Sequence, residues 1–360
     1  MIYLDHQATT PLAPEAREAM LRWMDGPEGT GFGNPHSPHR MGRMAAAAVE
    51  VAREQVAALL PPGGRVVFTS GATEAVNLAI RGLAAPGERP PMAVGAIEHA
   101  CVLDTARAVG EVEVWPVDRH GLMDPAHPLD RRPRLIAAMQ VNNEIGVVQD
   151  IAAIHARARA EGALLLVDAV QAAGKLPVVD ADLIAVSAHK LYGPKGIGAL
   201  WVRDGVELRS TSTGGGQEGL RSGTLSPMLC AGFGAAAAAS LARMEEDAAH
   251  LRALFARARD LFAGWEWNGS VEARWPGNVN VHLDGLDAAR LMSDCRPVMF
   301  SAGSACASGS GRPSHVLRAI GLSDAEAKSS IRLGLGRYTT MAEMEEAAAR
   351  INAAAEAQGL

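Results

Sequence analysis

A lysine stands at the end of an apolar run, in the segment Ser187-Ala188-His189-Lys190. The run before it, residues 183–186, has the composition of a buried strand, and a glycine-containing turn follows at 192–196. Lysine is rarely buried without a partner. Desolvation lowers the pKa of its amine toward the neutral form, which attacks carbonyl groups. Taken alone, such a lysine is usually an ordinary loop residue, so its interpretation depends on the residues that accompany it.

Polar side chains stand just past three other apolar runs, at His99, Asn143 and Asp168. In open, mainly parallel sheets, ligands bind beyond the carboxyl ends of the strands. A further run leads through the turn Ser70-Gly71-Ala72-Thr73 into a predicted helix. Backbone N–H groups at such a helix start bind phosphate. A plain side-chain cap by Ser70 or Thr73 is the alternative, and both could hold together.

The elements that would position these residues alternate between strands and helices. Seven short strands are predicted between residues 65 and 202, several of them apolar on both faces. This pattern indicates an α/β fold with a mainly parallel seven-stranded sheet covered by helices. A long Ala-rich helix is predicted over about 231–263, and the remainder is typical of a smaller α+β domain. We expect a large domain over 14–255 and a small one formed by 1–13 and 256–360.

Together these residues match the needs of pyridoxal phosphate. That cofactor requires a lysine to hold it, an acid at its pyridine nitrogen, a phosphate site and a group over its ring. Lys190 suits the first role, and Asp168 suits the second, although an isolated aspartate of this kind is more often a helix cap. The turn that ends at Thr73 suits the phosphate. His99 could lie over the ring, although a lone strand-end histidine more often has a structural role.

Six motifs make the chain recognisable as a whole. In this order and spacing they resemble the cysteine desulfurases of the NifS/IscS group, which are class V aminotransferase-like enzymes. The resemblance runs from Asp5 to about Arg337, nearly the whole chain. The motifs are Thr69-Ser70-Gly71-Ala72-Thr73-Glu74, Val141-Asn142-Asn143-Glu144-Ile145-Gly146, Asp168-Ala169-Val170-Gln171, Ser187-Ala188-His189-Lys190, Arg221-Ser222-Gly223-Thr224 and Ser301-Ala302-Gly303-Ser304-Ala305-Cys306-Ala307-Ser308.

The resemblance implies a fold-type-I pyridoxal-phosphate transferase that acts as a homodimer. Such an enzyme converts L-cysteine to L-alanine and leaves a persulfide on an active-site cysteine, here Cys306. Lys190 would hold the cofactor, Asp168 would pair with its nitrogen, and Gln171 would hydrogen-bond its phenolic oxygen. His99 would stack on the ring and act in acid/base steps.

The resemblance also implies how the phosphate and the substrate are bound. The phosphate would be bound by Ala72, Thr73, Ser187 and His189, with Thr224 reaching across from the other subunit. Asn143 and Arg332 would hold the substrate carboxylate, a task that suits the bidentate fork of a guanidinium.

Cys306 is the residue that the resemblance makes the sulfur acceptor. Its neighbours from Gly303 to Gly309 are all small, and the stretch to Pro313 has no apolar periodicity. This composition predicts an exposed, mobile loop over about 301–313, so that the thiolate could reach the substrate sulfur and carry the persulfide onward. The acceptor could be an iron–sulfur scaffold protein, and Cys306 could then be a cluster ligand shared with that partner.

Two other functions remain open at this point. One is a related pyridoxal-phosphate enzyme, such as a selenocysteine lyase or an aminotransferase. The cysteine at 306 disfavours an aminotransferase, which has no use for it. The other is a non-enzymatic sulfur-carrier or assembly platform, which the intact set of Lys190, Asp168 and His99 argues against.

Composition excludes several further classes. The 360 residues carry a net charge of −6 with no basic block, which disfavours nucleic-acid binding. We find neither an apolar run expected to span a bilayer nor a signal-peptide pattern, so a cytoplasmic location is expected. The four cysteines form no Cys-x-x-Cys pair, which argues against a zinc knuckle or a disulfide framework. Cys101, Cys230 and Cys295 lie in or beside apolar runs and are expected to be structural.

Overall fold

The structure is a computed structural model that describes residues 1–303 and 313–360. Its strands in chain order are β1 Ile2–Tyr3, β2 Gly64–Thr69, β3 Pro91–Gly95, β4 Glu111–Trp115, β5 Leu135–Met139, β6 Leu164–Asp168, β7 Leu183–Ser187, β8 Gly198–Arg203, β9 Glu266–Trp267, β10 Asn278–His282, β11 Val298–Met299, β12 Ser301–Ala302 and β13 Ser330–Gly334. Its helices are α1 Pro14–Leu21, α2 Arg40–Ala57, α3 Ala72–Gly82, α4 Ala100–Val109, α5 Ile151–Glu161, α6 Pro227–Leu261, α7 Ala288–Asp294, α8 His315–Ala319, α9 Asp324–Lys328 and α10 Met341–Glu356, with 3-10 helices at Ala188–Lys190 and Gln217–Gly219.

The large sheet has seven strands in the order β2-β8-β7-β6-β5-β3-β4. Strand β8 runs antiparallel to both of its neighbours, and all the other pairings are parallel. The predicted mainly parallel seven-stranded sheet is therefore confirmed. Because six strands point the same way, their carboxyl ends share one edge of the sheet.

Both faces of the middle of this sheet are buried, which explains why central strands such as β5 and β7 are apolar. In β7, Leu183 and Ala185 pack into the core cluster that contains residues of α3 and α4. The alternate residues, Ile184 and Val186, pack into the larger cluster that contains residues of α2, α5 and α6. Successive side chains of a strand point to opposite faces. With both faces covered, polar groups reach a cavity mainly at strand ends.

Helix α6 packs closely against α1 and α2. A Cβ added at Gly232 would lie 2.6 Å from Cγ of Met20, and one at Gly234 would lie 2.7 Å from Cα of Ala52. These two glycines therefore permit a close approach that any larger residue would prevent.

By length and composition alone, α6 is the one described helix that could cross a membrane, with a mean hydropathy of 1.2 over its most apolar window. The core helix of a globular protein meets the same criterion, and buried α6 residues such as Phe233 belong to the main core. This finding is weak evidence for a membrane span.

A smaller antiparallel sheet has the strand order β12-β13-β10-β9. The N-terminal arm, residues 1–13, joins this part of the chain, because β1 pairs in parallel with β11 and Asp5 forms a bridge with Gly334. Farther along, the N–H of Thr10 donates to the His189 carbonyl, and the N–H of Ala13 donates to that of Tyr192. The arm therefore links the small sheet to the segment that carries Lys190.

Candidate active site

A cavity of about 560 Å³ opens at the carboxyl edge of the large sheet. Residues from strand ends of that sheet, from the N-terminal arm and from β13 line it. Ten of the predicted site residues are among them, namely Ala72, Thr73, His99, Asn143, Asp168, Gln171, Ser187, His189, Lys190 and Arg332.

Lys190 ends the 3-10 helix that follows β7, and it is half-buried. Its Nζ donates to the backbone carbonyls of Gln7 and Ala8, the latter at 2.9 Å. The arm is held in place here by Thr10, whose Oγ1 donates to the His189 carbonyl at 3.0 Å and accepts from the N–H of Tyr192 at 2.7 Å. The N-terminal arm therefore supplies two hydrogen-bond acceptors for the lysine amine.

Asp168 is the last residue of β6, and it is buried. Burial raises the pKa of its carboxyl, while the N–H of Val170, at 2.9 Å from Oδ1, and the nearby His99 and Lys190 lower it. A desolvated carboxylate favours a cationic partner. Asp168 can therefore hold a proton on a basic nitrogen placed against it.

His99 caps the start of α4, with its Nδ1 accepting from the N–H of Cys101 at 3.1 Å. Burial is the largest of the effects that lower its pKa. Because Nδ1 acts as an acceptor, the neutral ring carries its proton on Nε2. Nε2 is therefore the ring atom through which His99 can hold or pass a proton.

The start of α3 has the features of an anion-binding site. Gly71 stands at the N-cap position, and no side chain caps the helix start, so the plain side-chain cap considered above is wrong. Glu74 turns back instead to accept from the N–H of Ser70 and pairs with Arg221 at 2.9 Å. The first N–H groups of the helix thus remain available beside the cavity, where the helix dipole favours an anion.

Ser187 and His189 line the same cavity as this helix start. His189 contacts Oγ1 of Thr9 through Nδ1 at 3.2 Å. Burial and the nearby charge of Lys190 lower its pKa to about 4, so the ring is neutral at pH 7. A hydroxyl and a neutral imidazole can both donate hydrogen bonds to a phosphate oxygen.

Arg332 enters the cavity from β13, and its side chain is fully buried. Nη2 pairs with Oδ1 of Asp5 at 2.7 Å, and Nη1 donates to the Asn143 carbonyl at 3.0 Å, while Nε has no hydrogen-bond partner among the described residues. A buried guanidinium needs such a carboxylate, since an unpaired charge would be costly. These contacts therefore fix the orientation of the Arg332 guanidinium at the cavity wall.

Of the predicted site residues that the structure describes, Thr224 is the one not brought into this cavity. Thr224 is exposed and lies outside the lining of the cavity in the single chain. Cys306 and most of the predicted loop 301–313 lie outside the described residues. The residues on either side are tied down near Arg332 and Asn143: the N–H of Gly303 donates to the Ser330 carbonyl at 2.8 Å, and Ser314 Oγ donates to the Glu144 carboxylate.

Sequence reasoning missed several residues of the cavity. Gln7 and Ala8 line it from the arm, and Lys195 lines it from the turn after Lys190. Cys101, expected to be structural, also lines it. Burial raises the pKa of the Cys101 thiol to about 12, so it is a poor nucleophile at neutral pH. The sequence signal that could have indicated the contribution of the arm was the polar residue Gln7.

Comparisons with known proteins agree with this fold and cavity. The model of the aminotransferase class-V family matches residues 2–346, so the chain belongs to that family. The cysteine desulfurase IscS of Shewanella loihica is 44% identical over 370 residues, which cover 96% of this chain and 90% of the relative.

Solved structures place the chain more narrowly. A NifS-like protein superposes with a TM-score of 0.89 at 29% identity, covering 98% of both chains. A structure of SspA in complex with cysteine superposes with a TM-score of 0.80 at 33% identity, covering 94% of this chain and all of that one. Within the class-V family, the chain is a member of the cysteine desulfurases, and the resemblance and fold class predicted from the sequence are confirmed. Enzymes of this family depend on pyridoxal phosphate.

Proposed function

We propose that this protein is a pyridoxal-phosphate-dependent cysteine desulfurase that converts L-cysteine to L-alanine. The observation that carries the proposal is the convergence of Lys190, His99 and Asp168 on one cavity that the buried guanidinium of Arg332 also lines. A lysine, an acid and a histidine suit the cofactor, and an arginine suits the carboxylate of an amino acid.

The residues present fit pyridoxal phosphate. When bound, this cofactor supplies an electron sink for the substrate carbon that loses its proton. Lys190 would hold it covalently, and Asp168, buried and desolvated, would keep a proton on the pyridine nitrogen. Gln171 would donate to the phenolic oxygen, and His99 would lie against the ring.

The uncapped start of α3 supports a phosphate site. Ala72 and Thr73 would bind the phosphate through backbone N–H groups, with Ser187 and His189 adding side-chain donors. Thr224 would complete the site from a second subunit, a role compatible with its exposure in the single chain.

Arg332 and Asn143 would bind the carboxylate of L-cysteine. Asp5 and the Asn143 carbonyl orient the guanidinium from the protein side, which leaves a bidentate fork as a source of specificity for a carboxylate. His99 would hold or pass a proton at Nε2 while the substrate reacts.

Cys306 would accept the sulfur as its thiolate. The bond between the substrate β-carbon and its sulfur breaks, a new bond joins that sulfur to Sγ of Cys306, and the carbon skeleton leaves as L-alanine. The ties of Gly303 to Ser330 and of Ser314 to Glu144 support this assignment, because they anchor the flanking residues near Arg332 and Asn143.

The persulfide would pass to an acceptor protein such as an iron–sulfur scaffold, for cluster assembly or other thio-cofactor synthesis. In that complex, Cys306 could also ligate the cluster that is being built. We place this activity in the cytoplasm, where thiols stay reduced.

We also propose a homodimer and the division of the chain into residues 14–255 and residues 1–13 with 256–360. Exposed apolar side chains on and near α1 and α2 support the dimer, among them Met24, Phe32 and Met44. The pairing of β1 with β11 supports assigning the arm to the small domain.

Mass spectrometry of the protein after L-cysteine is added tests this function. We expect visible absorption from bound cofactor, release of alanine, and a mass increase of one sulfur atom on the peptide that contains Cys306. Cys306→Ala should abolish this persulfide, whereas the matched control Cys295→Ala, at a buried cysteine outside the cavity, should retain it. A wild-type protein that binds no pyridoxal phosphate would refute the proposal.

A further inference from the structure

Lys175 is an interior lysine that the proposed chemistry leaves without a role. Its Nζ donates to Oε1 of Gln171 at 2.9 Å and lies 4.7 Å from the centroid of the Trp275 ring. Within residues 1–303 and 313–360, no carboxylate forms an ion pair with it. The charged group that affects its pKa is Lys190, which lowers it. A desolvated lysine without an acid partner is costly. Its hydrogen bond to Gln171 therefore suggests that Lys175 acts on the Gln171 side chain.

The buried Gln171 amide has only one satisfactory orientation while Lys175 is present. Oε1 accepts from Lys175, and Nε2 donates to the Gln7 carbonyl at 3.0 Å. Reversing the amide would place its NH₂ against the lysine N–H donors and its oxygen against the carbonyl oxygen of Gln7. Both contacts would become repulsive, so Lys175 and Gln7 together select this orientation.

The selected orientation turns the NH₂ group toward Lys190. The Gln7 carbonyl that accepts from Gln171 Nε2 also accepts from Lys190 Nζ. In pyridoxal phosphate, the phenolic oxygen is on the ring carbon next to the one that bears the lysine-linked carbon. A donor beside Lys190 Nζ could therefore reach that oxygen.

We propose that Lys175 is a positioning residue that, through Gln171 Oε1, holds the amide with its NH₂ group aimed at the phenolic oxygen of the cofactor. This inference rests on the proposed function and deepens it. The ammonium of Lys175 acts on the cofactor through the amide it orients, and it takes no direct part in the reaction.

The surroundings allow Lys175 to keep this role across neutral pH. Burial, followed by the charge of Lys190, lowers the pKa of Lys175 to about 7. His6 and His189 also face it, and burial is the main reason that the pKa of each is lowered to about 4. Both are neutral above that pH, and an amine retains N–H donors after losing its charge.

The test measures the protonation of the lysine-bound cofactor in the holoenzyme, as the pH midpoint of its visible absorption change. A hydrogen bond to the phenolic oxygen favours its anionic form and so lowers this midpoint. We expect Lys175→Met to raise the midpoint by about one pH unit, a roughly tenfold change in proton affinity, and to speed cofactor dissociation. Lys175→Arg, which keeps N–H donors, should stay near the wild type.

The variant Gln171→Leu tests whether Lys175 acts on the cofactor through the Gln171 amide or directly through its own charge. We expect Gln171→Leu alone to raise the midpoint, and Lys175→Met to add less than about twofold to it in that background, because coupled residues are non-additive. Lys328→Met, which removes an exposed lysine on α9, should change nothing. Lys175→Leu, which also lacks a hydrogen-bond donor, replaces Lys175→Met if the latter fails to fold.

Two outcomes would overturn the inference. One is a folded Lys175→Met or Lys175→Leu enzyme whose midpoint equals that of the wild type. The other is an equal shift with and without the Gln171 amide, which would show that Lys175 acts by charge alone. A wild-type protein without a visible cofactor band would instead refute the proposed function itself, so the two failures are distinguishable.

Discussion

The two walls of the cavity are built in different ways. The strand-end wall, made by His99, Asp168 and Lys190, consists of residues at or just past the carboxyl ends of three parallel strands of one sheet, β3, β6 and β7. The arginine wall, made by Asp5 and Arg332, joins the N-terminal arm to a strand of the small sheet. The strand-end wall follows from the geometry of a single sheet, whereas the arginine wall depends on contacts between segments 327 residues apart.

This difference separates two kinds of chemistry. The strand-end wall would hold the cofactor, and its groups are placed by a rigid sheet buried on both faces. The arginine wall would hold the substrate, and its guanidinium is placed by an ion pair with the arm. Changes in the first wall should therefore affect the cofactor, and changes in the second should affect substrate binding with the cofactor retained.

The largest effect is expected at the centre of the strand-end wall. Lys190→Ala should lose the covalently held cofactor and reduce turnover by roughly a thousandfold or more, because the covalent catalyst is removed. Visible absorption and alanine release measure the two effects. Lys195→Ala, at the other lysine of the cavity lining, should keep the visible band. Turnover of Lys190→Ala within tenfold of the wild type would contradict this assignment.

A smaller effect is expected at the arginine wall. Arg332→Lys keeps the charge but loses the fork, so the KM for L-cysteine should rise about 10- to 100-fold while the visible band stays unchanged. Steady-state kinetics measure this change. Arg337→Lys is the matched control, because Arg337 is a buried arginine paired with Asp247 at 2.7 Å outside the cavity lining. Equal KM values for the wild type and Arg332→Lys would disprove substrate binding by this wall.

The arm that joins the two walls should be sensitive to acid. Burial, and then the charge of Lys175, lower the pKa of His6 to about 4, although Glu343 opposes this shift. Because the folded pKa lies below the ordinary value of 6.5, the unfolded chain binds the proton first as the pH falls. Stability present above pH 6.5 should therefore decline toward pH 4, by about 2 to 3 kcal/mol.

Denaturant unfolding at a series of pH values measures this slope. His6→Gln should make it shallower, because one of the titrating groups is gone, whereas His120→Gln, at an exposed histidine, should leave it intact. An unchanged slope in His6→Gln would rule out His6 as the acid-sensitive group of the arm.

The smallest effect is expected at Asp5. Asp5→Asn retains a hydrogen-bonding oxygen for Arg332 but removes its counter-charge, so the KM for L-cysteine should rise only about three- to tenfold. Asp284→Asn, at an exposed aspartate away from the cavity, is the control for loss of one negative charge. If Asp5→Asn changed the visible band and left KM alone, the separation of the two walls would be wrong.

The strand-end wall was predictable because its signals are local. Strands apolar on both faces, such as β6 and β7, stand out in a sequence, and parallel strands bring their ends together. The arginine wall was not predictable from local pattern. Arg332 lies in the middle of Ser330–Gly334, a strand of only five residues that is absent from the predicted elements, and Asp5 pairs with it from the far end of the chain.

Tertiary contacts determine that the start of α3 has no side-chain cap. A cap by Ser70 or Thr73 was consistent with the sequence, but Glu74 turns toward Ser70 and Arg221, and the helix start has no side-chain cap. Lys175 and Gln171, which form a hydrogen bond, are only four residues apart in sequence. The orientation of the Gln171 amide nevertheless depends on the Gln7 carbonyl, which the arm contributes.

The sequence by itself determined the sheet and the placement of Asp168, His99 and Lys190 at its carboxyl edge, because burial on both faces leaves polar residues mainly at strand ends. Only the tertiary structure decided that Arg332 could be buried beside them. A charge inside a protein must be neutralised by a partner, and here that partner, Asp5, arrives through the fold of the N-terminal arm.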